Sequence, residues 1–178
     1  MSKKLARIVL GIMFLGGLGG CSFSSSWKLE NNSSVIPISQ APKIQTIQSL
    51  TALENSIFQQ VNQYRQSRNL PPLKQDPSIS EQAKIHSQEM AEGKVAFGHD
   101  GFERRVKAIA RSISYRQASE NVAFNQGFSD PATGAVKGWI DSQGHRKNME
   151  GNFDLTGVGV ARNSEGEYYF TQIFILKR

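Results

Sequence analysis

Residues 155–176 constrain the fold most. Leu155-Thr156-Gly157-Val158-Gly159-Val160 alternates small and apolar residues, and Tyr168 to Leu176 is dense in aromatic and β-branched ones. Asn163-Ser164-Glu165-Gly166 between them carries turn chemistry, so the segment reads as an antiparallel hairpin. The strongly periodic stretches upstream are helical. A chain that spends its first elements on amphipathic helices and its last on a hairpin must bury the helical stripes against a small sheet, which is an α+β layering.

The helices can be placed from their punctuation. Leu53, Ile57, Val61 and Tyr64 recur at helical spacing and predict a helix from Thr51 to about Arg68, ended by Leu70-Pro71-Pro72-Leu73. Asp76-Pro77 is an acceptor cap followed by proline at the first helical position, opening a helix to about Glu92 with Ile79, Ala83, Ser87 and Met90 inward and Gly93 as its stop. His86 falls at the edge of that buried face and reads as a packed histidine. A third helix, Phe102 to about Ile113, turns Phe102, Val106, Ile109 and Ile113 inward and assigns Arg104, Arg105, Lys107 and Arg111 to a solvated face. Ser119 to Ala123 is a short strand or turn. Asp130-Pro131 then repeats the cap-then-proline signal for a helix whose stripe is Ala132, Ala135, Val136, Trp139 and Ile140. If the helix extends that far, Ser142, three residues after Trp139, continues on the buried side, whereas Asp141 points away.

The first fifty residues follow different rules. Lys3, Lys4 and Arg7 precede an apolar run, Ile8 to Leu18, too short to span a bilayer as a resident helix, so residues 1–20 read as an export signal. Leu18-Gly19-Gly20-Cys21 resembles a bacterial lipobox and marks Cys21, the chain's one cysteine, for lipidation. Acyl chains there would anchor the protein to a membrane, and the domain must then hold together without disulfides. Residues 21–50, rich in Ser, Asn, Gln and Pro, read as a tether with a reach of roughly 30 Å. Of the net charge of +6, the first fifty residues hold five basic residues against one acid, leaving 16 against 14 from Thr51 onward. That near balance argues against nucleic acid as a partner.

The motifs that carry chemistry lie in order in the remaining stretch: Val61-Asn62-Gln63-Tyr64-Arg65, Leu70-Pro71-Pro72-Leu73, Phe97-Gly98-His99, Ser119-Glu120-Asn121-Val122-Ala123, Trp139 to Met149 with Ser142, Gly144, His145, Arg146 and Asn148, and Gly157-Val158-Gly159. Together they resemble the CAP superfamily, also called SCP-like, in its bacterial branch without disulfides, over about Leu53 to Arg178. The resemblance implies an α-β-α sandwich over residues 51–178, with a small antiparallel sheet flanked by helices and a cleft holding two histidines and two acids. In some members that cleft takes up a divalent metal. By position His99 and His145 match the histidines and Glu120 the first acid; Ser142 stands where the second acid would be.

His99, Glu120 and His145 are therefore the candidate site residues and should converge, with Asp141 outside. Two imidazoles and a carboxylate could hold zinc with an open fourth position, with His99 and His145 as the metal ligands. The alternative is a hydrogen-bonded cluster that organises the loops around the cleft. Ser142, His145 and Glu120 contain the residue types of a nucleophilic triad, but no nucleophile elbow or oxyanion hole surrounds the serine. The function expected is a non-catalytic module of the cell envelope, outside the cytoplasm, binding a lipid, sterol, glycan or protein ligand. The rival is a divalent-metal-assisted hydrolase acting on peptide or cell-wall material.

Overall fold

In a computed structural model, residues 41–178 are described, with side chains from residue 49 onward. The expected export signal, Cys21 and most of the expected tether lie outside the described residues. Five helices and four strands follow in the order α1 (Ala41–Ser67), β1 (Lys74–Gln75), α2 (Pro77–Ala91), α3 (Phe102–Ile109), β2 (Tyr115–Asn125), α4 (Pro131–Asp141), α5 (Gln143–Glu150), β3 (Leu155–Arg162) and β4 (Tyr168–Lys177).

Local chemistry sets the ends of these elements. Asp76 accepts from the backbone N–H groups of Ser78 and Ile79 at the start of α2, and Asp130 accepts from Thr133 N at the start of α4. Each is followed by a proline whose missing N–H costs nothing in a first turn. The same tolerance applies to Pro42, and α1 begins at Ala41, ten residues before the expected Thr51. Helix α3 stops at Ile109, four residues earlier than expected, in tightened turns from Arg111 N to Ala108 O and Ser112 N to Ile109 O.

The sheet runs β1-β3-β4-β2. Strands β3 and β4 form the expected hairpin, and β2 pairs antiparallel with β4 along its whole length. Two features escaped the sequence reading. Strand β2 is eleven residues long rather than a short turn, because Arg116, Gln117, Ser119 and Asn121 hide the alternation of an edge strand. Strand β1, two residues, pairs parallel with β3, so the sheet is not wholly antiparallel.

Each face of the sheet carries its own core. On one side α1, α4 and α5 bury Ile57, Val61, Trp139 and Met149 against Val158, Phe170 and Phe174. On the other, α2 and α3 bury Ile79, Ala83 and Ile109 against Leu155, Ile173 and Ile175. This is the α-β-α sandwich. Gly157 and Gly159 explain how closely α2 lies on β3: a Cβ at either would overlap the helix backbone, at Ser80 and Lys84 respectively. Among the described residues no helix is long and apolar enough to cross a membrane.

Candidate functional site

The site grows from the middle of β2, where Glu120 is only 5% exposed. A buried carboxylate is expensive unless paired, and its partner is Arg105 of α3, itself 3% exposed. Arg105 Nε donates to Glu120 Oε2 at 2.8 Å and Nη2 to Oε1 at 2.7 Å, a two-pronged pair. The guanidinium also donates to the backbone carbonyls of Asp100 at 2.8 Å and His99 at 3.3 Å. Arg105 does not belong to the solvated face to which its charge assigned it. Its spacing from Phe102 and Ile109 sets it beside the buried stripe, where the carboxylate compensates its charge.

Around this pair stand the three histidines. His99 Nδ1 donates to Glu120 Oε1 at 3.0 Å, with its side chain half exposed. His86 is fully buried behind Arg105. Arg105 Nη1 donates to His86 Nδ1 at 3.2 Å, so His86 Nε2 carries the proton and donates to Gly98 O at 2.8 Å. Burial holds the His86 pKa below its usual value, against the Gly98 hydrogen bond, and the Arg105 charge adds to the lowering. It is a packed histidine that orders the loop carrying His99.

His145 faces His99, with ring centroids 6.3 Å apart and planes inclined by 46°. It lies in the first turn of α5. Helix α5 is fixed to β2 by two asparagines: Asn148 donates to Glu120 O and Asn121 Oδ1, and Asn121 donates to His145 O. Burial, and secondarily the charge on His99, lowers the His145 pKa. Asp141 is exposed; Ser142 is half-buried at the α4–α5 junction, and no hydrogen bond joins it to His145 among the described residues.

His99, Glu120 and His145 therefore converge, but as an ion-paired cluster. Both Glu120 oxygens accept from Arg105, so the guanidinium balances the carboxylate charge, while the two imidazoles face each other beside it. Among the described residues no group of three or more His, Cys, Asp or Glu side chains could hold a metal ion. The donor set does not fit the three protein ligands that a catalytic zinc centre uses.

Beside His145 a groove of about 560 Å³ opens between β2 and α4, with Val122, Phe124, Phe128, Trp139 and Ser142 in its walls. Phe97, Phe124 and Phe128 are 55%, 45% and 56% exposed, and the Phe97 and Phe124 rings meet edge to face at 6.3 Å. Only one other large apolar side chain among the described residues, Ile85, is exposed. Asn125, also lining the groove, donates to Pro131 O while its Oδ1 is buried without a partner. Phe97 belongs to the Phe97-Gly98-His99 motif, whereas Phe124 and Phe128 carry no motif in the sequence. The usable signal is three phenylalanines in loops and at an edge, outside every helical stripe.

Comparison with known proteins adds an independent result. The sequence profile of the "CAP: Cysteine-rich secretory protein family" matches residues 58–174. An uncharacterized Bacillus subtilis protein, YkwD, is 35% identical over 136 residues, covering 72% of this chain and 49% of the relative. The structure is similar to that of an extracellular protein containing an SCP domain from Bacillus anthracis, at TM-score 0.59 and 32% identity over 71% of this chain and 41% of that one. A cysteine-rich secretory protein from Staphylococcus aureus shares the fold at TM-score 0.57 and 24% identity, over 71% of this chain and 39% of that one. The match thus spans about half the length of the curated relative, and less of these solved chains.

Proposed function

This chain belongs to the CAP, or cysteine-rich secretory protein, family, and on that premise we propose that it is a lipid-anchored protein of the cell envelope that binds a ligand or partner in its cleft without turning it over. The lipobox-like Leu18-Gly19-Gly20-Cys21 supports the anchor, and the description of the Bacillus anthracis relative as extracellular supports the location.

The observation that carries the non-catalytic reading is the Arg105–Glu120 pair. A carboxylate that serves as general base or metal ligand faces the substrate or ion with its charge available. The charge of Glu120 is balanced by Arg105 across both oxygens, and the second acid position is Ser142. The groove supports binding: aromatic walls suit a flat apolar face such as a sterol, an acyl chain or the apolar side of a sugar ring.

Calorimetric titration of a sterol, a fatty acid and cell-wall glycan fragments into wild type and Phe128→Ala tests this reading. Saturable binding of one class, weakened at least tenfold by the substitution, is expected. The hydrolase alternative draws on the two facing imidazoles. Cleavage of a peptide library or of cell-wall fragments that disappears in His145→Ala would overturn the non-catalytic reading.

A further inference from the structure

The cations of this domain are unevenly paired. Arg68, Lys84, Lys94, Arg104 and Arg105 each meet a carboxylate. At the end of the sheet where β1 and β2 begin and β4 finishes, Lys74, Arg116, Lys177 and Arg178 surround a cavity of about 320 Å³, and none has a carboxylate partner among the described residues. The acid in the cavity wall is Asp154, and its Oδ2 accepts from Lys177 N at 2.8 Å. Lys107 stands across the neighbouring groove from Arg116, together with Glu103.

Two of these cations are held in place. Arg116 Nε donates to Lys177 O at 3.0 Å and Arg178 Nε to Tyr115 O at 3.2 Å, which leaves the Nη groups of both forks without a protein partner among the described residues. A guanidinium fixed through Nε and open at its Nη atoms is set for phosphate oxygens.

We propose that this end of the sheet docks on an anionic phospholipid surface. The proposal rests on the lipid-anchor reading for its choice of partner, because a tethered domain meets the bilayer at high effective concentration. The domain's charge is nearly balanced overall, so the patch is a local device rather than a general attraction for polyanions. Docking also orients the cleft. The patch lies at the start of β2 and the aromatic groove at its end, roughly 30 Å apart at the usual rise of a strand. A domain seated on its basic end presents Phe124, Phe128 and His145 away from the membrane.

The test uses the full chain carrying Cys21→Ser, so that no acyl chain contributes. Its partitioning onto phosphatidylcholine vesicles, with and without one quarter phosphatidylglycerol, is measured by co-sedimentation at 0.1 M and 0.5 M NaCl. Preference for the anionic vesicles is expected, lost at high salt. Combining Lys74→Gln, Arg116→Gln, Lys177→Gln and Arg178→Gln should lower it on the order of 500-fold, since each cation near such a surface gives roughly fivefold. Lys137→Gln with Lys147→Gln, exposed cations elsewhere, should leave it unchanged, and thermal unfolding of each variant reports its folding.

An unchanged preference in the folded four-site variant overturns the proposal. So does polyphosphate that binds the patch tighter than vesicles of equal charge concentration, which would make the partner a soluble polyanion. The anchor is tested separately, by mass spectrometry of wild-type Cys21. An unmodified thiol would sink the anchor and leave the docking measurement standing.

Discussion

Two arginines are almost fully buried in this domain, one in each helical layer, and they are held in different ways. Arg65 of α1 donates to the carbonyls of Pro71, Met149 and Gly151 at 2.7–2.9 Å and meets no carboxylate among the described residues. Arg105 of α3 also takes carbonyls, but its main partner is Glu120, and through Glu120 it reaches His99. The first is a latch that fastens the proline loop and the end of α5 to α1. The second fixes a site acid while cancelling its charge. Taking a cation out of water costs several kcal/mol whichever way it is compensated, so the difference lies in what the compensation leaves behind.

Removing each side chain separates the two cases. Arg105→Met strands a buried carboxylate and should cost about 4 kcal/mol, read from urea unfolding. Adding Glu120→Leu should recover a good part of that loss, because an apolar pair of similar volume can replace a buried ion pair. A double variant no more stable than the single would break the ion-pair account. Arg65→Met loses hydrogen bonds but strands no charge, and should cost about 2 kcal/mol. No second substitution among its carbonyl partners is available to rescue it.

The two arginines also show what the sequence could reveal. The Asp76-Pro77 and Asp130-Pro131 caps and the hairpin were legible because each is a local rule with a local cause; the helix spacing used for Ser142 stops short of it, since α4 ends at Asp141 and Ser142 is extended. Arg105 was legible in principle. It stands three residues after Phe102 and four before Ile109, on the flank of the apolar stripe, but its charge masks that position. Strand β2 was not legible, since its polar residues are satisfied by Arg105 and Asn148 from distant helices. Nor were the aromatic groove and the basic end, which exist only once separate elements are brought together.

Acid sharpens the comparison at a smaller scale. The lowered pKa of His86 means that the unfolded chain takes up its proton first. Stability is then complete above the ordinary histidine value near 6.5 and falls as pH drops through it, by up to about 1.4 kcal/mol per pH unit for the one proton. His145 adds a slope of the same sign. No histidine lies among the hydrogen-bond partners of Arg65. Unfolding midpoints between pH 8 and 5 should therefore decline in wild type and in Arg65→Met alike, and less steeply in His86→Asn. An equal slope in His86→Asn would move the acid sensitivity out of the Arg105 cluster.

The smallest effect on stability is expected at Ser142, and it is the one that asks what Arg105 withholds from the site. Ser142 sits at the N-cap of α5 with no side-chain cap bond and shares the groove wall with His145. A carboxylate there is favoured by the helix N-terminus, so Ser142→Glu should change stability by less than about 0.5 kcal/mol. Unlike Glu120, it would have no arginine across both oxygens. It should therefore raise the His145 pKa, reversing the present lowering by burial, and give the two imidazoles a third donor. Imidazole titration by NMR reads the first effect and zinc calorimetry the second, with Ser142→Gln as the uncharged control. A tenfold or greater gain in zinc affinity in Ser142→Glu alone would mean that the Arg105–Glu120 pair, together with the serine, keeps this cleft from being a metal centre. No change in the His145 titration would mean that residue 142 does not face that histidine, and the contrast with Glu120 would fail at its nearest point.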